Sequence, residues 1–365
     1  MTPARRQTTA LLTGFPGFIG RRLVARLLAD DSKLRVAAVV EARMAERARE
    51  VAAEIDGDRV EILPGDIAEP HLGLDDDDYE RLRADVRLVF HLAAIYDLAV
   101  PLSVAQRVNV DGTGNVVDFC LAAESLERHV YISTAYVAGD RTGVVYEHEL
   151  ALGQGFKNHY ESTKFQAEVW VRDEMDDIPT TIYRPAIVVG DSRTGETQKF
   201  DGPYYMLRFI SSSVERHMPL ANIGRGAVPF NVVPVDFIVE SMLALAELPD
   251  AVGETVHLCD PNPVQSGEVF RLLAELYAGK TPKLRLPAGG VSAALRLKFV
   301  RDMYGGTPAE SIRYLNHPVR YDTRRANELL AKAGLACPGF RDYAPNMVSY
   351  FKLHETDESL APAPH

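Results

Sequence analysis

The chain has 365 residues, which is too long for one small module and, at roughly 150 residues per domain, predicts about two units. Its 46% hydrophobic and 25% charged residues exclude a disordered, fibrous or disulfide-stapled protein, because there is ample apolar surface to bury. With 40 basic and 51 acidic residues, the formal net charge of −11 repels phosphates, so we expect no nucleic-acid partner.

The first half of the chain alternates short apolar runs with longer amphipathic stretches, which is typical of parallel strands joined by crossover helices. The predicted strands are residues 8–12, 34–40, 60–63, 86–91, 130–133 and 180–184. Six such units predict an α/β fold with a doubly wound parallel sheet of the Rossmann type over residues 1–190.

The alternation decays after residue 190, where loop-rich stretches and proline clusters separate helical patterns at 237–248 and 266–277. Residues 191–355 are therefore predicted to form a smaller substrate lobe, interleaved with the sheet by segments that return to it. Apolar and basic residues mix over 291–303, which suits either a packed surface helix or a weak contact with a membrane. The polar tail, 356–365, is expected to fray.

The first predicted strand runs directly into a glycine-rich turn, and a helical pattern follows at once. Glycines at such a turn permit positive φ and let the backbone approach a pyrophosphate, whose charge is met by free amides at the helix N-terminus. We therefore expect a dinucleotide coenzyme to contact Thr13, Gly14, Gly17, Phe18, Ile19 and Gly20.

The end of the second predicted strand is where the coenzyme ribose is expected. Glu41 stands at this position and Arg43 follows two residues later. A carboxylate bonds a 2′-hydroxyl and favours NAD, whereas an arginine pairs with the 2′-phosphate of NADP. Residue type alone leaves both coenzymes open.

Two further strand ends supply candidate coenzyme contacts. Asp66 and Ile67 follow the third strand, where the carboxylate can accept a hydrogen bond from the adenine amino group or act only in a turn. Ala93 and Ala94 follow the fourth strand, where small side chains let the coenzyme lie against the backbone. All four are predicted to line the coenzyme site.

A candidate catalytic set begins at the end of the fifth strand. Thr134 lies there, and Tyr160 and Lys164 follow at a spacing of four, which places them on one face of a helix. A phenol titrates near 10, so we expect Lys164 to stabilise its phenolate and also to hold the ribose hydroxyls. Thr134 would bond a substrate carbonyl while Tyr160 protonates its oxygen as hydride arrives from the nicotinamide.

Candidate substrate contacts are less specific. Ser133 is a rival to Thr134, and Tyr96 and Asp97 follow the coenzyme-facing alanines. Tyr204 and Tyr205 belong to an aromatic-rich stretch that suits either an apolar channel or the core of the second lobe.

The motifs together resemble the extended short-chain dehydrogenase/reductase family over nearly the whole chain. The turn from Thr13 to Gly20 resembles its T-G-x-x-G-x-x-G pattern, residues 108–113 its V-N-x-x-G-T helix, and Arg184-Pro185 its R-P segment beside the nicotinamide. The resemblance implies coenzyme contacts from Asn109, Pro185 and Ile187, and its count of five residues back from Gly139 selects Thr134.

Residues 65–67 with 72–74, and residues 231–236, are similar to the branch that contains fatty acyl-CoA reductases and thioester reductase domains. This resemblance implies NADP(H)-dependent reduction of a lipid-like acyl thioester, aldehyde or ketone, with the substrate free, linked to CoA or borne on an acyl carrier. That branch usually has a basic residue where this chain has Glu41. The alternatives are an NAD-dependent epimerase or dehydratase, a hydroxysteroid-type dehydrogenase, and a coenzyme-binding protein without turnover.

Three widely spaced cysteines fit neither a disulfide framework nor a zinc site, so we expect a reducing compartment and no metal. The N-terminal region lacks the uninterrupted apolar core of a signal peptide, and no run approaches the ~18 apolar residues of a membrane span. These features predict a cytoplasmic protein and leave a homodimer open.

Overall fold

The computed structural model of the chain describes residues 8–96, 100–224, 226–303 and 311–361. Asp97, one of the candidate substrate contacts, lies outside these ranges. Within them, no helix has both the length and the apolar character needed to cross a membrane.

The strands of the described residues form one seven-stranded sheet and three two-stranded sheets. They are β1 Thr9–Thr13, β2 Arg35–Val40, β3 Val60–Pro64, β4 Val86–His91, β5 Arg128–Ile132, β6 Gly143–Val145, β7 Thr180–Pro185, β8 Ile187–Val189, β9 Ala221–Ile223, β10 Val232–Pro234, β11 Thr255–Leu258, β12 Leu284–Leu286 and β13 Val319–Tyr321. Seven of them form the central sheet, in the order β11-β7-β5-β4-β1-β2-β3.

The helices of the described residues connect these strands. They are α1 Phe18–Asp30, α2 Ala45–Asp56, α3 Asp76–Asp85, α4 Leu102–Gln106, α5 Gly112–Ala122, α6 His159–Asp173, α7 Tyr204–Glu215, α8 Val235–Glu247, α9 Ser266–Ala278, α10 Ala288–Leu295, α11 Lys298–Met303, α12 Ser311–Tyr314, α13 Arg324–Lys332 and α14 Phe340–His354. Wider π-helical turns over Arg107–Asp111 join α4 to α5.

The central sheet is parallel throughout and is covered on both faces, so the predicted doubly wound Rossmann fold is confirmed. Buried side chains of α1, α2, α8 and α13 pack on one face, and those of α3, α5 and α6 on the other. Strands covered on both faces read as near-continuous apolar runs, which is why all six predicted strands lie within two residues of the observed ones.

The last strand of the sheet was not among the six predicted. This strand is β11, which pairs with β7. It follows β8, α7 and β10 in the chain, none of which belongs to the central sheet. Residues 232–234 form β10, which pairs with β8 in a separate two-stranded sheet, and α8 begins directly after them. Because β11 has only four residues, its pattern is too short to stand out in the sequence.

A second core holds the C-terminal lobe together. It is formed by buried side chains of α7, α9 and α14 and by the ends of β8 and β10. The mixed apolar and basic stretch 291–303 falls on two short helices, α10 and α11, and not on one. Within the segment predicted to fray, residues 358–360 form a turn in which Leu360 is buried and accepts a hydrogen bond from the Phe200 amide at 2.8 Å.

Candidate active site at the carboxyl edge of the sheet

Parallel strand order brings the predicted site residues to one edge of the sheet. β2 and β3 lie on one side of β1 and β4 lies on the other, so the direction of winding reverses between β1 and β4. Ligands of open α/β sheets bind at such a switch point, outside the carboxyl ends of the strands. The glycine turn follows β1 and Ala93 follows β4, so both flank this point.

The glycine turn has no room for side chains. Gly14 has a φ of +90°, and a Cβ there would meet the Ala93 amide nitrogen at 2.9 Å. A Cβ on Gly17 or Gly20 would lie 2.8 or 2.6 Å from the Gly14 carbonyl oxygen. The backbone of this turn, which we call the glycine cradle, therefore leaves no space for a side chain at any of the three glycine positions.

The N-terminus of α1 fits an anion above this cradle. Within the described chain no side chain caps α1, and its first turn, which contains Phe18 and Ile19, holds no acidic residue. The amides at a helix N-terminus carry partial positive charge and bind phosphate groups. The Thr13 hydroxyl fixes the neighbouring strand end, because it accepts a hydrogen bond from the Ala93 amide at 3.2 Å. These features fit the pyrophosphate of a dinucleotide.

The two residues that compete for the ribose position contact each other. Arg43 donates a hydrogen bond from Nε to the Glu41 carboxylate, and this contact raises the pKa of Arg43. The Arg43 side chain is 79% exposed, so its guanidinium can exchange this partner for another anion. The pairing leaves both coenzymes compatible with this strand end.

Asp66 occupies a rigid loop after β3, but its carboxylate has protein partners. One oxygen accepts from the Ala68 amide at 2.9 Å, and the other lies 2.7 Å from the guanidinium of Arg107. A Cβ on Gly73 would meet the Asp66 amide at 2.7 Å, so the loop backbone is closely packed. Ile67 is buried beside it.

Asn109 lies at the opposite side of the coenzyme edge and fastens the segment after Ala94. Its Oδ1 accepts from the Ile95 amide at 2.8 Å, and its Nδ2 donates to the Ile95 carbonyl and to the Thr163 hydroxyl, both at 3.0 Å. Asn109 therefore joins the end of β4 to α6. Ala93 and Ala94 themselves are half-buried.

The structure brings Thr134 and Tyr160 together at the carboxyl end of β5. Thr134 is buried, begins the turn after β5 and accepts a hydrogen bond from the Tyr136 amide. Burial raises the pKa of Tyr160 to about 12, although a hydrogen bond with Thr134 opposes the rise. The phenol therefore keeps its proton at neutral pH and can donate it.

Lys164 lies one turn after Tyr160, and its ammonium group contacts the carboxyl end of β5. It donates to the Tyr131 hydroxyl at 2.9 Å and to the Ile132 carbonyl at 2.7 Å. Burial lowers the pKa of Lys164 itself to about 7. The expected lowering of the Tyr160 pKa by Lys164 is thus absent, because the amine is only partly charged and is engaged by β5.

Ser133 is bound into a buried ion pair that the sequence did not reveal. Its hydroxyl donates to Glu168 at 2.5 Å, and Arg184 donates to the same carboxylate at 2.6 Å. Glu168 and Arg184 are both fully buried. The structure therefore directs Ser133 into the protein and leaves Thr134 as the hydroxyl beside Tyr160.

A second unexpected contact joins the C-terminal lobe to the start of α6. The Tyr314 hydroxyl donates to Glu161 at 2.8 Å, next to Tyr160 in the chain. Asn158, which caps α6 by accepting from the Glu161 amide, also donates to Tyr314 at 2.7 Å. Only the acidic residue in the first turn of α6 signals this site in the sequence, and its partner lies 153 residues away.

The remaining candidates differ in their exposure to solvent. Tyr96 is 58% exposed, and the Lys199 ammonium of the lobe lies 5.6 Å from its ring centroid. Tyr204 instead packs in the second core, where its hydroxyl accepts from the Gly190 amide at 3.1 Å, and Tyr205 is half-buried. Pro185 is buried at the end of β7 and Ile187 is half-buried at the start of β8.

Comparison with known proteins adds a family to this geometry. The family described as Male sterility protein, NAD_binding_4, matches residues 12–242, which include the glycine turn and the Thr134, Tyr160 and Lys164 positions. The chain is 28% identical to a linear gramicidin synthase from Brevibacillus parabrevis over 69% of its length, and 26% identical to the fatty acyl-CoA reductase wat of Drosophila melanogaster over 64%.

The chain spans 5% of the first of these relatives and 53% of the second. Among solved structures, the terminal R domain from the myxalamid PKS-NRPS biosynthetic pathway superposes with a TM-score of 0.80 at 22% identity, covering 99% of this chain and 94% of that one. These comparisons confirm the resemblance to the extended short-chain reductases and to their acyl-CoA and thioester reductase branch.

Proposed function

Because this chain belongs to the Male sterility protein family, we propose that it is an NADP(H)-dependent reductase of a lipid-like carbonyl, either an acyl thioester or an aldehyde or ketone. The observation that carries the proposal is that the Thr134 and Tyr160 side chains lie together at the carboxyl edge of the sheet, at the end of β5 and the start of α6. The tight glycine cradle at the same edge provides the coenzyme site.

The residues of this edge fit a nicotinamide dinucleotide. The amides of Phe18 and Ile19 would meet the pyrophosphate, and Asp66 and Ile67 would border the adenine. Arg43 would meet a 2′-phosphate by leaving Glu41, since its side chain is 79% exposed. This exchange is the basis for preferring NADP(H), and NAD(H) would instead use the Glu41 carboxylate.

When bound, the reduced nicotinamide supplies a hydride to the carbonyl carbon of the substrate. Thr134 and Tyr160 would hold the carbonyl oxygen by hydrogen bonds, and the Tyr160 hydroxyl would give that oxygen its proton. An aldehyde or ketone would then be the alcohol, whereas a thioester would be a hemithioacetal, whose C–S bond would break to give the aldehyde and release the thiol. With a pKa near 12 the phenol is fully protonated at neutral pH, so the donor is present before the reaction begins. Lys164 would hold the ribose hydroxyls next to it.

A contact between the sheet half and the lobe favours a substrate with an anionic carrier group. The Lys199 ammonium of the lobe lies 5.6 Å from the ring centroid of the exposed Tyr96 and 3.9 Å from the Asp201 carboxylate, so a cation and an aromatic ring lie side by side. Such a pair suits an acyl chain joined to a phosphate-bearing CoA or acyl carrier. The name of one relative, a fatty acyl-CoA reductase, favours the same class of substrate.

The test is turnover by the Tyr160→Phe variant. We expect kcat for NADPH oxidation with long-chain acyl-CoA thioesters or the corresponding aldehydes to fall by at least ~100-fold, the usual contribution of a general acid. The Kd of NADPH, measured by fluorescence titration, should stay within about two-fold of the unchanged protein because the cradle is intact.

Tyr146→Phe is the matched control, because this exposed tyrosine lies outside the site. Equal activity of Tyr160→Phe and Tyr146→Phe would contradict the proposal. So would the absence of NADPH or NADH oxidation by the unchanged protein across acyl-CoA, aldehyde and ketone substrates. Titration with both coenzymes decides between them, since NADPH should bind more tightly than NADH if Arg43 exchanges Glu41 for the 2′-phosphate.

A further inference from the structure

A buried chain of hydrogen bonds begins at the Lys164 ammonium. Tyr131 on β5 is fully buried, accepts from Lys164 at 2.9 Å and places its ring centroid 4.4 Å from the same nitrogen. Lys164 also donates to the Ile132 carbonyl at 2.7 Å. An ammonium has three donors and no acceptor, so among the described contacts these two take two of its three hydrogens.

The chain continues from Tyr131 to the glycine turn. The Tyr131 hydroxyl faces the Thr113 hydroxyl, whose oxygen lies 3.0 Å from Nε2 of His91. Nδ1 of His91 lies 2.7 Å from the Thr13 hydroxyl, at the residue before Gly14. The polar path therefore joins α6, β5, α5, β4 and the end of β1.

The directions of these hydrogen bonds follow from their donors. Thr113 gives its hydrogen to the Asn109 carbonyl at 2.7 Å, so its oxygen can only accept from Tyr131 and His91. Nε2 of His91 is then the donor and Nδ1 accepts from Thr13. Burial lowers the pKa of His91 well below its ordinary value, which keeps the ring neutral as this arrangement requires. Every member of the path is thus satisfied by one consistent arrangement.

The surroundings of Lys164 make the Tyr131 contact important for its charge. The groups that face the amine are the neutral His91, the phenol of Tyr131 and, more distantly on α6, the Glu168 carboxylate. Only Glu168 carries a charge that favours the ammonium form, and Arg184 already neutralises it. The direct hydrogen-bond acceptors are therefore two uncharged oxygens, one of which belongs to Tyr131.

We propose that Tyr131 is a positioning residue for Lys164. The Tyr131 hydroxyl holds the Lys164 ammonium at the coenzyme edge and connects it through Thr113 and His91 to the glycine turn. This inference rests on the function proposed above, because it assumes that Lys164 contacts the coenzyme. Tyr131 itself lies inside the protein and touches neither coenzyme nor substrate.

The test is coenzyme binding by Tyr131→Phe, measured as the Kd of NADPH and of NADH between pH 6 and pH 9. Without the phenol oxygen the ammonium loses one acceptor, so its charged form becomes less stable. We expect the Kd at pH 8 to rise about ten-fold, which corresponds to ~1.4 kcal/mol, and the pH at which affinity declines to move downward. The ring remains, so its packing between strands is kept.

Tyr183→Phe provides the control. Tyr183 is also fully buried, but it lies on β7 and packs with the core on the opposite face of the sheet. Its hydroxyl has no hydrogen-bond partner among the described residues, so its variant should keep the stability of the unchanged protein and leave the pH profile of coenzyme binding unchanged. Identical pH profiles for the two variants would overturn the proposal.

Thr113→Val and Thr113→Ser extend the test should Tyr131→Phe fail to fold. Valine removes the hydroxyl that faces Tyr131 and should move the pH profile in the same direction as Tyr131→Phe. Serine keeps a hydroxyl at this position and should leave the profile as in the unchanged protein. An unshifted profile in Thr113→Val would contradict the proposed path. These outcomes are read from binding alone, so an unchanged protein that binds coenzyme but reduces no carbonyl would refute the proposed function and leave this inference standing.

Discussion

Two of the buried charged side chains of helix α6, Lys164 and Glu168, lie one turn apart, and their surroundings differ. Lys164 is 2% exposed and donates to two uncharged oxygens. Glu168 is fully buried but is contacted by Arg184, Arg172 and Ser133. Burial lowers the pKa of Lys164 to about 7, whereas for Glu168 the combined effect of Arg184, Arg172 and Ser133 outweighs burial and lowers the pKa.

The difference shows how one helix serves two purposes. The Glu168 carboxylate is fixed in its charged form and binds α6 to β7 through Arg184, as suits a structural link. The Lys164 amine is close to half-charged at neutral pH and can gain stability from a new anionic or hydroxyl partner. We expect changes at Glu168 to alter mainly stability, and changes at Lys164 to alter mainly the response to pH and coenzyme.

Glu168→Gln should have the largest effect on stability. It leaves the fully buried Arg184 without a charged partner, and breaking a buried pair by removing one member costs about 3–5 kcal/mol. The measurement is the free energy of unfolding in urea at pH 7. Asp173→Asn, at an exposed position in the last turn of the same helix, should change it by less than ~0.5 kcal/mol. A loss below about 1 kcal/mol in Glu168→Gln would show that the pair is not the link inferred here.

Lys164→Met should change how stability depends on pH. In the unchanged protein the pKa of Lys164 is about 7 when folded and 10.5 when unfolded, so between these values the unfolded chain binds more protons. Folding is therefore favoured increasingly as pH rises, by about 2 kcal/mol between pH 7 and pH 9. The methionine variant should lack this increment.

The measurement is the free energy of unfolding at several pH values for the unchanged protein, Lys164→Met and the exposed-site control Lys283→Met. The control should follow the unchanged protein. Parallel curves for all three proteins would mean that Lys164 keeps an ordinary pKa in spite of its burial.

Arg172→Ala should have the smallest effect of the three. Arg172 donates to Glu168 at 3.1 Å but is 23% exposed, so its loss should cost about 1 kcal/mol. The pKa of Glu168 is lowered in the folded protein, so its charge stabilises folding above its unfolded pKa and this contribution is lost on acidification. Without Arg172 the loss should begin at a higher pH, visible as an earlier transition in acid unfolding followed by circular dichroism. If the acid transition does not shift, Arg172 does not contribute to the lowered pKa of Glu168.

The sheet, and the placement of the candidate site residues at one of its edges, could be predicted from the sequence because their signals are local. Strands covered on both faces are short apolar runs, and the predicted bounds of β4 are the observed ones, Val86–His91. The glycine turn, Thr134 and the Tyr160–Lys164 spacing are also contained in short segments, and parallel order alone brings them to one edge.

The partners of these residues could not be predicted, since they depend on which face of a distant strand meets the helix. Tyr131 lies 33 residues before Lys164, and its orientation follows from the register in which it pairs with Ile182. The same holds for Arg184 and Glu168, which lie on different elements. The core position of Tyr204 depends on how α7 packs within the lobe, which its apolar pattern alone does not fix.

The contact between Tyr314 and Glu161 also has a consequence for the order in which the protein matures. The two residues are 153 positions apart, so during synthesis the start of α6 leaves the ribosome long before its partner does. Over that interval the last strands of the central sheet are completed, while Glu161 has only nearby contacts such as the Lys157 amide at 2.9 Å. In the nascent chain the residue next to Tyr160 can therefore receive its lobe partner only after the last strand of the central sheet, β11, has been synthesised.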